Sequence, residues 1–163
     1  FKSESYITIA PASVWFTKQF PVEKWIELIN QVPDSYNVYL VGAKSDTSLA
    51  TEIVENSGRI VMDITGELEL LQTAALMKDA VMNYANDSAP VHLASAVNAP
   101  ITEVFCSTVP EFGFTPLSEK SFIIQTKDKV DCRPCGMHGK ANCPKGHFKC
   151  AHSIDVNEMT SIL

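Results

Sequence analysis

The 163-residue chain is short of several things at once. No apolar stretch approaches the ~20 residues of a membrane-spanning helix, so a helical span is not expected. Basic residues are outnumbered: 13 Lys and Arg face 19 Asp and Glu, a formal net charge of -6. That balance suits phosphate backbones poorly, and nucleic acid is not an expected partner. The glycine fingerprints G-x-G-x-x-G and G-x-x-x-x-G-K-[ST] are both missing, which leaves a dehydrogenase or a P-loop enzyme without support. There is no internal repeat and no low-complexity tract. No secretory leader opens the chain, so a cytoplasmic setting is the expectation. The first residue is Phe1 rather than Met, and a strand-like run begins by Tyr6. The chain therefore reads as part of a longer protein.

What is present is the alternation of an α/β domain. Short apolar, β-rich runs are expected as strands at 6–10, 37–41, 59–62, 80–84, 101–106 and 121–125. Between them lie helical patterns. Val22, Trp25, Ile26 and Ile29 share one face of a helix over 22–32; further helices are expected over 47–56, around Leu71, Ala74 and Ala75, and over 90–97. Strict alternation implies right-handed crossovers and a doubly wound, Rossmann-like parallel sheet. Residues 1–126 and 155–163 are expected to form this domain. Residues 127–154, rich in Lys, Gly, Cys and His, read as an irregular excursion from it.

In such sheets ligands bind beyond the carboxyl ends of the strands. The fourth strand runs into Asn86-Asp87-Ser88-Ala89-Pro90-Val91-His92. Asp87 or Ser88 can cap the next helix, and Pro90 suits its first turn. The free amides of a helix start attract phosphate, while Asp87 suits sugar hydroxyls. Ser88 and His92, four apart, share a face. The loop after the first strand offers Ser13 and Lys18 for a diphosphate. The loop after the second strand offers Asp46, either as a helix cap or as an acceptor for ribose hydroxyls.

Taken in order, Pro11-x-Ser13, Lys18-Gln19-Phe20-Pro21, Val41-Gly42-x-x-x-Asp46, Thr65-Gly66-x-Leu68, Asn86-Asp87-Ser88-x-Pro90-x-His92-Leu93-Ala94 and Phe105-x-x-Thr108-x-Pro110 resemble the C-terminal half of glycosyltransferase family 9, which includes the lipopolysaccharide heptosyltransferases. The resemblance implies one half of a GT-B enzyme, the half that binds the donor. By similarity, Ser13 and Lys18 meet the donor phosphates and sugar, with Lys18 stabilising the leaving group. Asp46 meets the ribose, Leu68 the base and Asp87 the donor sugar. Ser88 and Ala89 offer backbone amides to the diphosphate, and His92 lines the same pocket. The implied donor is a nucleotide sugar, ADP-heptose. The implied acceptor is the lipopolysaccharide inner core, at the cytoplasmic face of the inner membrane with peripheral association. The catalytic base is expected in an N-terminal half, and no cofactor is required for the chemistry. The chain departs from the family pattern at Ala89, where Gly is usual, at Phe20, where Trp is usual, and at Pro11-Ala12-Ser13, where Pro-Gly-Ala is usual.

Of five cysteines, Cys106 stands alone at a strand end and reads as core. Cys132, Cys135, Cys143 and Cys150 follow C-x2-C-x7-C-x6-C spacing, with His138, His147 and His152 interspersed. Four thiolates permit a structural zinc; reduced thiols in an irregular loop, or an adventitious disulfide, are the other readings. Two rival functions fit the same residues. One is a zinc-stabilised, non-catalytic interaction module. The other is a different GT-B sugar-nucleotide enzyme, such as an epimerase.

Overall fold

A computed structural model describes residues 4–163. Six strands form one sheet: β1 (Tyr6–Ala10), β2 (Asn37–Leu40), β3 (Met62–Asp63), β4 (Met82–Asn86), β5 (Ile101–Phe105) and β6 (Ser121–Gln125), in the order β3-β2-β1-β4-β5-β6. Every neighbouring pair is parallel. The chain builds outward from β1 to one edge, then returns to the other side of β1 and builds to the opposite edge. Right-handed crossovers in opposite directions put helices on opposite faces. A crevice opens where the direction reverses, between the ends of β1 and β4.

Burial follows from this plan. All five residues of β1 are buried, as a strand covered on both faces requires. Ile7 and Ile9 enter one core with Trp25, Leu28 and Ile29 of α1 (Val22–Gln31) and Ala50 and Ile53 of α2 (Thr47–Asn56). Tyr6 and Ala10 enter the other core. There they meet Leu76 and Met77 of α3 (Leu70–Asp79) and Val91 and Ala94 of α4 (Ala89–Ala96). Phe20 packs edge-on against Trp25 at 5.1 Å between ring centres, anchoring the entry to α1. Among the described residues no helix is long and apolar enough to cross a membrane.

The elements differ from expectation in four places. The third strand is two residues, Met62–Asp63, paired among the described residues with Tyr39 and Leu40 of β2 alone. Arg59 instead folds back to the carbonyls of Val32 and Tyr36 beyond α1, leaving Ile60 exposed. The fourth strand lies two residues later than expected, because α3 extends to Asp79 and β5 pairs with the chain up to Asn86. On α3, Ala74, Leu76 and Met77 are buried while Leu71 and Ala75 are exposed, so the helix is rotated from the expected face. The excursion over 127–154 is not wholly irregular. It ends in α5 (Lys149–His152), which with α6 (Val156–Thr160) adds Cys150, Ala151, Val156 and Met159 to the first core.

Candidate functional site

A cavity of about 540 Å³ lies at the carboxyl ends of β1, β2 and β4. Ala12 and Ser13 wall it from the first loop, and Gly42, Ser45 and Asp46 from the second. Leu68 closes one side and Ser88, Ala89 and Pro90 the other. The open ends of three strands thus meet at the reversal point of the sheet, where side chains from distant segments converge.

The junction is fixed by Asn86. Its side-chain amide donates to the Pro11 carbonyl at 2.8 Å, and its carbonyl oxygen accepts the Phe20 amide at 2.8 Å. A buried Asn so paired ties the end of β4 to both ends of the first loop. It also sets the next residue. The Asp87 amide continues the ladder to the Val104 carbonyl at 3.1 Å, and the Asp87 side chain turns inward, 4% exposed. One of its oxygens, Oδ2, receives two donors: the Lys18 ammonium at 2.9 Å and the Thr108 hydroxyl at 2.6 Å. No hydrogen bond among the described residues falls on Oδ1. Lys18 comes from a single 3₁₀ turn, Phe16–Lys18.

Neither expected cap operates at α4. Ser88 occupies the capping position, but its hydroxyl donates back to the Asn86 carbonyl at 3.2 Å, and Asp87 is engaged by Lys18 and Thr108. The helix therefore starts at Ala89-Pro90 without a side-chain cap, beside the cavity. Asp46 likewise makes no side-chain cap on α2; it turns back on the 3₁₀ turn Lys44–Asp46 that precedes the helix. Its carboxylate accepts the Ala43 amide at 2.8 Å and the Ser45 hydroxyl at 3.1 Å while also lining the cavity. Gly42 lies beneath it, and a Cβ there would stand 2.8 Å from Asp46 Oδ2 and displace the carboxylate.

Ser13, Asp46, Leu68, Ser88 and Ala89 thus line one cavity. Lys18 and Asp87 form an ion pair that adjoins it through Ser88. His92 is not in the cavity wall; it is exposed on α4, with its ring 6.5 Å from that of Phe114. The Ser88–His92 spacing does put both on α4, but the helix turns the imidazole outward.

Reading the sequence missed Thr108 as a site residue, although it stands in the quoted Phe105-x-x-Thr108 block. It also missed Glu103. This residue sits in the middle of β5, wholly buried, and neither carboxyl oxygen has a hydrogen-bond partner among the described residues. Burial, then the Asp87 charge, push its carboxyl up to about 9, against an opposing pull from Lys18. Glu103 is therefore uncharged at neutral pH. Its only sequence signal is an acid inside an apolar strand.

The four clustered cysteines are free thiols. Burial pushes Cys143 up, but the amides of Phe148, Lys145, Gly146 and His147 outweigh it and hold the thiol below its ordinary value. Burial raises Cys135, and raises Cys150 to about 11. Cys132 Sγ lies 3.8 Å from His147 Nε2. Among the described residues no three His, Cys, Asp or Glu side chains are arranged to hold a metal ion.

A family model described as "Glycosyltransferase family 9 (heptosyltransferase)" matches residues 1–144. The lipooligosaccharide heptosyltransferase 2 of Haemophilus ducreyi is 28% identical over 124 residues, covering 72% of this chain and 34% of that protein. The solved structure of E. coli ADP-heptose lps heptosyltransferase II superposes with a TM-score of 0.78 at 22% identity, covering 99% of this chain and 46% of that one. E. coli heptosyltransferase WaaC with ADP-2-deoxy-2-fluoro heptose superposes with a TM-score of 0.68 at 18% identity, covering 97% of this chain and 43% of that one. The chain thus spans about a third of the curated relative's length.

Proposed function

From the premise that the chain belongs to glycosyltransferase family 9, we propose that it is the C-terminal, donor-binding half of a GT-B enzyme that transfers heptose from ADP-heptose to the lipopolysaccharide inner core. The observation that carries this reading is Asp87, buried at the sheet's reversal point with one oxygen held by Lys18 and Thr108 and the other without a hydrogen-bond donor among the described residues. A carboxylate so held is a fixed acceptor for hydroxyls of a sugar. A relative named as an ADP-heptose heptosyltransferase and another solved with ADP-2-deoxy-2-fluoro heptose support that choice of donor.

The remaining parts follow from the chemistry. In transfer, the acceptor hydroxyl oxygen forms a bond to the anomeric carbon as the bond from that carbon to the diphosphate breaks. The hydroxyl proton goes to a base, and the bonding electrons leave on ADP. Charge on the departing diphosphate needs donors already in place. Lys18 supplies a cation, and the uncapped start of α4 at Ser88 and Ala89 supplies amides and the positive end of a helix dipole. Asp46 faces the cavity from the second loop and suits ribose hydroxyls, with Leu68 against the base. The base that takes the acceptor proton is assigned to the N-terminal half of the enzyme, which works at the cytoplasmic face of the inner membrane.

The test is thermal unfolding with ADP, ADP-heptose and UDP. Ligand that binds only the folded chain raises Tm by mass action. ADP and ADP-heptose should raise it, UDP should not, and Lys18→Ala should remove the ADP effect. A UDP response would favour an epimerase-like enzyme. Unfolding by chelators without any nucleotide response would favour a zinc-stabilised interaction module.

A further inference from the structure

The Cys/His-rich segment runs back across the ends of β1 and β5, and its contacts there are specific. Arg133 reaches the Thr108 carbonyl with Nε at 3.2 Å and with Nη2 at 2.8 Å. The same Nη2 reaches Oε1 of Gln125, the last residue of β6, at 2.7 Å. Thr108, fixed by its carbonyl, is the residue whose hydroxyl donates to Asp87 Oδ2. On the other side of the ion pair, Thr17 is held from the same segment: its amide donates to the Lys140 carbonyl at 3.0 Å, and its hydroxyl accepts the Lys140 amide at 2.7 Å. Gly139 lies against the stem of Lys18, where an added Cβ would stand 2.8 Å from Cγ.

We infer that this segment is a brace for the Lys18–Asp87 pair, with Arg133 a positioning residue that sets the Asp87 carboxylate through Thr108. The inference rests on the proposed role of Asp87 toward the donor sugar. Its physical basis is the shape of the guanidinium. One planar fork can serve the loop carbonyl and the β6 side chain together, which a lysine's point charge cannot do in the same geometry. With that fork in place, Thr108 presents its hydroxyl to Oδ2 and leaves Oδ1 for ligand. Without it, the loop after β5 loses its tie to β6, and Asp87 is left to Lys18 alone. The brace thus has two arms with separable effects. Arg133 acts on the sugar through Asp87, and Gly139 acts on the diphosphate through Lys18.

Titration calorimetry on the 163-residue chain with ADP and ADP-heptose tests this. The unaltered chain should prefer ADP-heptose. Arg133→Gln should keep ADP affinity within about twofold and lower ADP-heptose affinity about tenfold, the size expected for one hydrogen bond to a charged group. Arg133→Lys, which keeps the charge and lowers the risk of misfolding, should show the same selective loss. In a Thr108→Val background Arg133→Gln should cost nothing more. Gly139→Ala should weaken both ligands equally. Equal loss of both ligands in the Arg133 variants, or an unchanged preference, would overturn the brace while leaving the sugar role of Asp87 standing. Absence of any preference in the unaltered chain would overturn that role itself.

Discussion

Glu103 carries a carboxyl into the middle of β5, where neither oxygen has a hydrogen-bond partner among the described residues. An unfolded carboxyl of this kind titrates near 4.5, whereas in the fold it titrates near 9. Between those values the folded chain holds a proton that the unfolded chain has released, so stability is fullest below the lower value and declines as pH rises toward the upper one. Glu103→Gln should flatten that decline and stabilise the chain at pH 7 by up to roughly 3 kcal/mol, since each pKa unit is worth ~1.4 kcal/mol. Urea unfolding at several pH values between 5 and 9 measures it. Asn86→Ala should act the other way. It orphans the Phe20 amide and the Pro11 carbonyl and should cost about 2–4 kcal/mol in the same assay. At this scale the sequence singles out Asp46, which lines the cavity, and Lys18 and Asp87, which adjoin it, but not their partners. Asp87 reads equally as a helix cap or a ligand group until Lys18 and Thr108 are seen on one of its oxygens. Glu103 leaves only the signal of an acid inside an apolar strand, because the pattern of a strand records burial and not whether a buried oxygen is satisfied.

Among elements, the turns after β2 and β3 are locked together. The Gly66 amide donates to the Gly42 carbonyl at 2.9 Å, and Gly66 holds φ +76 with Lys44 so close that a Cβ would stand 2.8 Å from its Cα. Gly66→Ala must therefore both strain its own backbone and push the Lys44 turn, which carries Ser45 and Asp46 into the cavity. The expected outcome is a lower Tm and weaker ADP binding by calorimetry. Period and punctuation were enough to find the strands and helices of the sheet. They slipped where a short edge strand has one neighbour, at β3, and where a helix and strand abut without a glycine, at Asp79 to Met82. The stretch over 127–148 gives little period because much of it makes backbone and guanidinium contacts with loops far away in sequence, which leave no repeat.

For the molecule as a whole, the C-terminal segment belongs to the core. Phe148, Cys150, Ala151, Ile154, Val156 and Met159 are all buried in it. Burying one large apolar side chain contributes ~1.5–3 kcal/mol, against a usual total stability of ~5–15 kcal/mol. A chain truncated after Thr126 should lose cooperative unfolding by circular dichroism, even though it retains all six strands. The site, too, is a product of the whole chain. Phe20 and Asn86 are 66 positions apart, and Pro11 and Asn86 are 75 apart. During synthesis the first loop must therefore wait, with its amide and carbonyl in water, until β4 has left the ribosome. In the finished protein the Phe20 amide gives a direct clock for the crevice, because its hydrogen can exchange with deuterium only when the Asn86 junction opens.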